Sequence, residues 1–226
     1  MPSLELLDVI QHARPNIASI DVDLTAKSAS RAHGSIKNYN MAMDHIDVYC
    51  SGHQKLDDLI AFLRTHPNEE WHKHLEDVGT RLLEIFGKTP SKWYPTGRRP
   101  TESVSGLLVK PAIRGVWVAK GKAFPCMINA RGSVLLEPRQ NLRFAARGVY
   151  ESDVRDGTNI AGPMIVDLGK EPATGTRANR VYFPTEADMM SIEQFESILS
   201  KFSEALVLAG LAKKSVDRPL DLFRRR

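Results

Sequence analysis

The chain has 226 residues, 42% of them hydrophobic and 26% charged, with a net charge of +4. That usage is ordinary for a globular protein and excludes wholesale disorder, collagen-like repeats and a disulfide scaffold. The two cysteines, Cys50 and Cys126, suit a reducing, intracellular compartment or a fold indifferent to redox.

No stretch approaches the roughly 18 consecutive apolar residues of a membrane span. The opening residues MPSLELLDVI show no basic-then-apolar leader pattern.

Residues 1–88 read as a helical domain. Leu4, Leu7, Ile10 and Ala13 lie near one helix face, and Pro15 stops the turn. Ile36, Tyr39, Met43, Ile46 and Cys50 draw a second stripe, with Gly52 as its stop. Leu56, Leu59, Ile60 and Leu63 make a third helix. Asn68 then caps a fourth, along Trp71, Leu75, Val78, Leu82 and Phe86. Four short amphipathic helices predict a small bundle.

Residues 89–103 carry three prolines and predict a basic arm or linker. From 104 to 210 the pattern predicts strands and a closing helix. The strands are SGLLVK, RGVWVAK, AFPCMIN, SVLLEP, LRFAARGVY, GPMIVDL and NRVYF, with a hairpin turn at Ala130–Arg131–Gly132. Residues 169–179 read as an exposed flexible loop. Ser191 with Gln194 forms a capping box for the helix along Ile192, Phe195, Leu199, Phe202 and Leu206, and Gly210 ends it. A polar basic tail occupies 211–226. The expected fold is α+β: a helical bundle, then an antiparallel sheet or partly open barrel closed by a long C-terminal helix.

Charge is unevenly spread. Residues 1–90 carry 9 Lys+Arg against 13 Asp+Glu, and residues 91–150 carry 11 against 2. A cationic segment of this kind points to polyanions, because each cation set against a phosphate releases a condensed counterion. Its cations are Lys92, Arg98, Arg99, Lys110, Arg114, Lys120, Lys122, Arg131, Arg139, Arg143 and Arg147. Trp93, Tyr94, Trp117, Phe124, Phe144 and Tyr150 are interleaved with them.

Cations tracking a backbone beside rings that stack bases is the pattern of single-strand binding. The expected function is therefore non-catalytic binding of single-stranded DNA or RNA. Lys92, Trp93, Tyr94, Arg98, Arg99, Lys110, Arg114, Trp117, Lys120, Lys122, Arg131, Arg139, Arg143 and Arg147 form the expected surface. The helical domain would serve self-association or partner recruitment. Three other readings of the basic segment stand beside it: a solvated face with core rings, an acidic protein partner, and a viral or phage assembly protein that packages nucleic acid.

Other chemistry is weakly signalled. His45, Cys50, His53, His72 and His74 offer zinc donors in number, but their spacing fits no standard finger. Glu151, Asp153, Asp156, Asp167 and Glu171, with Lys170, suggest a metal-dependent nuclease without completing one. No P-loop, G-x-G-x-x-G or G-x-S-x-G occurs, so no cofactor is expected.

Strands followed by the helix of NRVYFPTEADMMSIEQFESILSKF resemble the ending of single-strand-binding domains of the Whirly type. The resemblance implies a strand-then-helix order and carries over no residue.

Overall fold

A computed structural model describes residues 3–13, 17–30, 39–96, 108–110, 113–132, 136, 139–154, 160–171 and 173–211. The architecture is α+β. Five strands form one mixed sheet in the order β2 (Lys92–Pro95), β4 (Ile113–Ala119), β5 (Lys122–Asn129), β6 (Met164–Asp167) and β7 (Arg180–Tyr182). All neighbours are antiparallel except β5 and β6, which run parallel from Cys126↔Met164 to Asn129↔Asp167. A parallel pair needs a crossover, and helix α7 (Arg139–Val149) supplies it. Two short strands, β1 (Ser3–Glu5) and β3 (Leu108–Lys110), pair separately and in parallel.

The sheet is buried on both faces at its centre. Strand alternation turns Cys126, Ile128, Met164 and Val166 to one side and Met127 and Ile165 to the other. The first side packs α3 (Asn40–Met43), α4 (Ile46–Cys50), α5 (Leu56–Leu63) and α6 (His72–Phe86). The second packs α1 (Leu6–His12), α2 (Val22–Ser30), α7 and α8 (Ile192–Leu208). Central parallel strands covered on both faces read as continuous apolar runs, as MIVD does.

Local signals explain the helices. In α6, Leu75, Val78, Leu82 and Phe86 are fully buried. The Asn68 side chain accepts from the Glu70 N–H at 3.0 Å to start the preceding turn. In α8, Ser191 Oγ accepts from the Gln194 N–H at 3.3 Å, and Gly210 at φ 71° ends the chain's helical run.

Several expectations are corrected. The helices of 1–88 do not form one bundle: α1 and α2 lie across the sheet from α3–α6. The stripe from 36 to 50 breaks at Asp44–His45 into α3 and α4, and its first member, Ile36, lies outside the described residues. Lys92–Pro95 is an edge strand, not a linker.

The sheet is mixed, not wholly antiparallel, and stays open between edges β2 and β7. LRFAARGVY is helix α7, where Phe144, Ala145, Gly148 and Val149 form a buried face of helical period. Ala130–Gly132 therefore leads towards a crossover helix. The hairpin turn lies at Lys120–Gly121 instead, where both residues have positive φ (49° and 73°), the signature of a type I′ connection.

Segment 169–179 is also tied down. The Ala178 N–H donates to Gly169 O at 2.8 Å and the Glu171 N–H to Thr176 O at 2.8 Å, and Arg177 is buried. Of the expected strand SVLLEP only Leu136, which is buried, is described.

Gly115 shows how closely β2 is laid on β4. A Cβ there would stand 2.4 Å from the Trp93 ring and 2.8 Å from Tyr94 O. The carbonyl cannot rotate away, so Gly115→Ala is expected to destabilise by about 1–3 kcal/mol. Urea unfolding reads this as a lower midpoint, and an unchanged midpoint would contradict the packing of this edge.

Candidate nucleic-acid interface

At the hairpin end of the sheet the chain assembles cations and rings together. The turn puts Lys120 at the tip and Lys122 at the start of β5, and Lys92 on β2 pairs in register with Val118 beside them. All three lysines are exposed. None forms an ion pair among the described residues.

Beside them, Trp93, Trp117 and Phe124 occupy one cross-strand row on the face that packs α6. Phe86 meets Trp93 and Trp117 edge-on at 5.6 and 6.3 Å between centroids. Trp117 Nε1 donates to Ser91 Oγ at 2.9 Å, which fixes the indole. Phe183, just past β7, sits 5.2 Å from Phe124 and 6.2 Å from Trp117, yet half of its surface is open. Alternation puts Lys122 on the same face as Phe124, and Tyr94 and Lys92 on the other.

The rest of the expected surface goes elsewhere. Arg139, Arg143 and Arg147 lie on α7, spaced by four, and serve the segment before α8. Arg143 Nη2 donates to Met189 O at 3.0 Å, Arg147 Nε to Met190 O at 2.7 Å, and Arg139 faces Asp188 at 3.5 Å. Arg147 is buried and also pairs with Glu151 at 2.9 Å. Arg131, at the opposite end of β5, pairs with Asp8 of α1. Arg114 lies at the β4 bulge and donates to Asn40 Oδ1 at 3.4 Å.

Lys110 is in β3, in register with Glu5. Arg98 and Arg99 lie outside the described residues. Of the interleaved rings, Phe144 is core and Tyr150 lies under the Arg147 guanidinium at 5.5 Å. The basic segment is thus not one face. What the structure brings together is Lys92, Trp93, Tyr94, Trp117, Lys120 and Lys122, joined by Phe124 and Phe183. Sequence reasoning missed Phe183; the period-2 run Val181-x-Phe183 marks only that it shares a strand face with Val181, which packs on the same core.

The carboxylates do not converge. Glu151 holds Arg147 and Glu171 holds Arg180 at 2.6 Å. Asp156 lies outside the described residues. Among the described residues no group of three or more His, Cys, Asp or Glu is placed to hold a metal ion. His45 stacks on Phe62 at 3.9 Å and His72 Nε2 lies 2.7 Å from His66 O. Burial pushes both the Cys50 and Cys126 thiols up, away from nucleophilic thiolate character.

Asp167 is fully buried at the end of β6 and gathers three segments. Its Oδ1 accepts from Asn129 Nδ2 at 2.7 Å and the Gly169 N–H at 3.1 Å, and its Oδ2 accepts from the Leu136 N–H at 3.3 Å. Burial raises its carboxyl above the ordinary carboxylate range, against the pull of those donors and of Arg180. The folded state therefore holds this proton at pH values where the unfolded chain has released it. The Asp167 contribution to stability is largest below the ordinary carboxylate value and falls as pH rises through the raised one. Asp167→Asn should remove that falling component from a plot of unfolding free energy against pH. An identical slope in both proteins would contradict it.

Comparison with protein-family models, with curated proteins and with solved structures found no match to this chain. Among the described residues no helix is long and apolar enough to cross a membrane.

Proposed function

We propose that the protein binds single-stranded DNA or RNA without catalysis, at the hairpin end of its sheet. One observation carries the reading: exposed lysines without ion pairs among the described residues crowd the hairpin end of the sheet, Lys120 and Lys122 beside the cross-strand row of aromatic rings and Lys92 at the same end on the other face. Cations already paired inside a fold release no counterions when a phosphate approaches, whereas exposed unpaired ones do. The row is half-buried against α6 and holds in place Phe183, whose ring is half open, so little freedom is lost when a base meets it.

Fluorescence anisotropy with labelled single-stranded DNA, single-stranded RNA and duplex, each at several salt concentrations, tests it. The expected result is binding that weakens linearly in log–log form as salt rises, with single strands preferred. No binding at low salt, or a preference for duplex, would overturn it.

A further inference from the structure

Resting on that reading, we infer that Phe183 is the stacking residue of the site and that its ligand is an unpaired base, with the adjoining phosphates on Lys120 and Lys122. Among the described residues two large rings leave half their surface open, Phe183 and Tyr94, in a fold that buries Phe86, Phe144, Phe195 and Phe202, and only Phe183 lies on the face of Phe124 and Lys122. Phe183 is not loose. Phe124 meets it edge-on, at 69° between planes, and Trp117 lies against it at 36°. Two rings thus hold it from the protein side and leave the other side to solvent.

The neighbouring charge selects the occupant. Lys122 shares the face of Phe124 two residues along β5, and Lys120 follows at the tip. A purely apolar partner would leave these ammonium groups without anionic partners. A nucleotide supplies both halves, a π face for the ring and a phosphate for the cation. A base within a duplex has both of its faces covered by neighbours, so the ring takes only an unstacked one.

The test compares a thymidine oligonucleotide of about ten residues with an abasic oligonucleotide of equal length and charge, on the wild-type chain and on Phe183→Leu. Leucine keeps an apolar side chain at this half-exposed position and removes the π face. The expected result is that the wild type prefers the thymidine strand and that Phe183→Leu loses this preference. Its affinity for that strand should fall by about 5- to 150-fold, the range for one base–ring stack. Binding of the abasic strand and the salt slope stay unchanged.

Phe183→Trp should retain the preference. Equal wild-type affinity for both strands overturns the stacking assignment and leaves the electrostatic site standing, and it needs no variant to fold. Equal weakening of both strands by Phe183→Leu also overturns it. Failure of every oligonucleotide to bind at low salt overturns the function and the assignment together.

Discussion

Replacing Arg177 with alanine is expected to lower the unfolding free energy by about 3–5 kcal/mol, the largest single-site effect outside the apolar core. Its side chain is wholly buried where the two parallel strands end. Nη1 donates to Ala130 O and to Leu168 O, each at 2.8 Å, and so ties the segment after β5 to the segment after β6. Nη2 donates to Tyr39 OH at 2.9 Å, and the guanidinium lies 5.0 Å above the Tyr39 ring, which brings in the start of α3. Nε completes the set with an ion pair to Asp77 of α6 at 2.9 Å, not aligned as a hydrogen bond.

Alanine leaves two buried carbonyls short of a donor and a void beside Tyr39, and each loss alone costs about 1–3 kcal/mol. Arg177→Lys should recover only part, because an ammonium on a flexible stem lacks the planar fork that reaches both carbonyls and the ring. Urea unfolding of the two variants checks this. A loss below about 1 kcal/mol for Arg177→Ala would show that the clamp is not what fixes segment 169–179.

Joint replacement of Lys92, Lys120 and Lys122 by alanine is expected to act on binding and not on folding. Each exposed cation that meets a phosphate contributes about 0.7 to the salt slope on a single strand, so the triple variant should lose about 2 units of slope along with affinity. All three side chains are exposed and without ion pairs among the described residues, so stability should stay within about 0.5 kcal/mol. Arg147→Ala is the opposite case. It breaks the bond to Met190 O and the pair with Glu151, so it should destabilise and leave the salt slope alone. An undiminished slope in the triple variant would remove this end of the sheet from the account.

The contrast between these cations marks where the sequence could be read and where it could not. Helices α6 and α8 were legible because each is long, carries one apolar stripe and has a capping side chain at its start. Strands β4 to β7 were legible from their short apolar runs between turn residues.

Helix α7 was missed because Leu142, Phe144 and Val149 suggest a strand when read one at a time. The spacing of Arg139, Arg143 and Arg147 by four was the helical signal. With α7 read as a strand, the parallel pairing of β5 and β6 could not be foreseen, since a crossover is what permits it. It also follows that three arginines were counted towards a cationic sheet surface when they face Asp188, Met189 and Met190 before α8.

Arg177 was hidden for a different reason. Among Gly, Thr and Pro it reads as solvated loop, and its burial depends on two carbonyls that only the assembled sheet brings together. Lys92, Lys120 and Lys122 were named only together with the rest of the basic segment, because the turn that leaves them exposed lies at Lys120–Gly121 and not at Ala130–Gly132 as expected. Phe183 escaped notice although Val181-x-Phe183 repeats the strand period. Its position beside Phe124 depends on Phe124 lying two strands away across the sheet, which no local pattern records.

Lysine acetylation in the presence and absence of a saturating thymidine oligonucleotide, read residue by residue by mass spectrometry, tests the location of the site most directly. Lys92, Lys120 and Lys122 should be protected, while the exposed Lys55 at the start of α5 and the exposed Lys73 and Lys201 on α6 and α8 react as in the free protein. Protection confined to the helical lysines, or none at Lys120 and Lys122 under saturating ligand, would contradict the assignment of nucleic-acid binding to the hairpin end of the sheet.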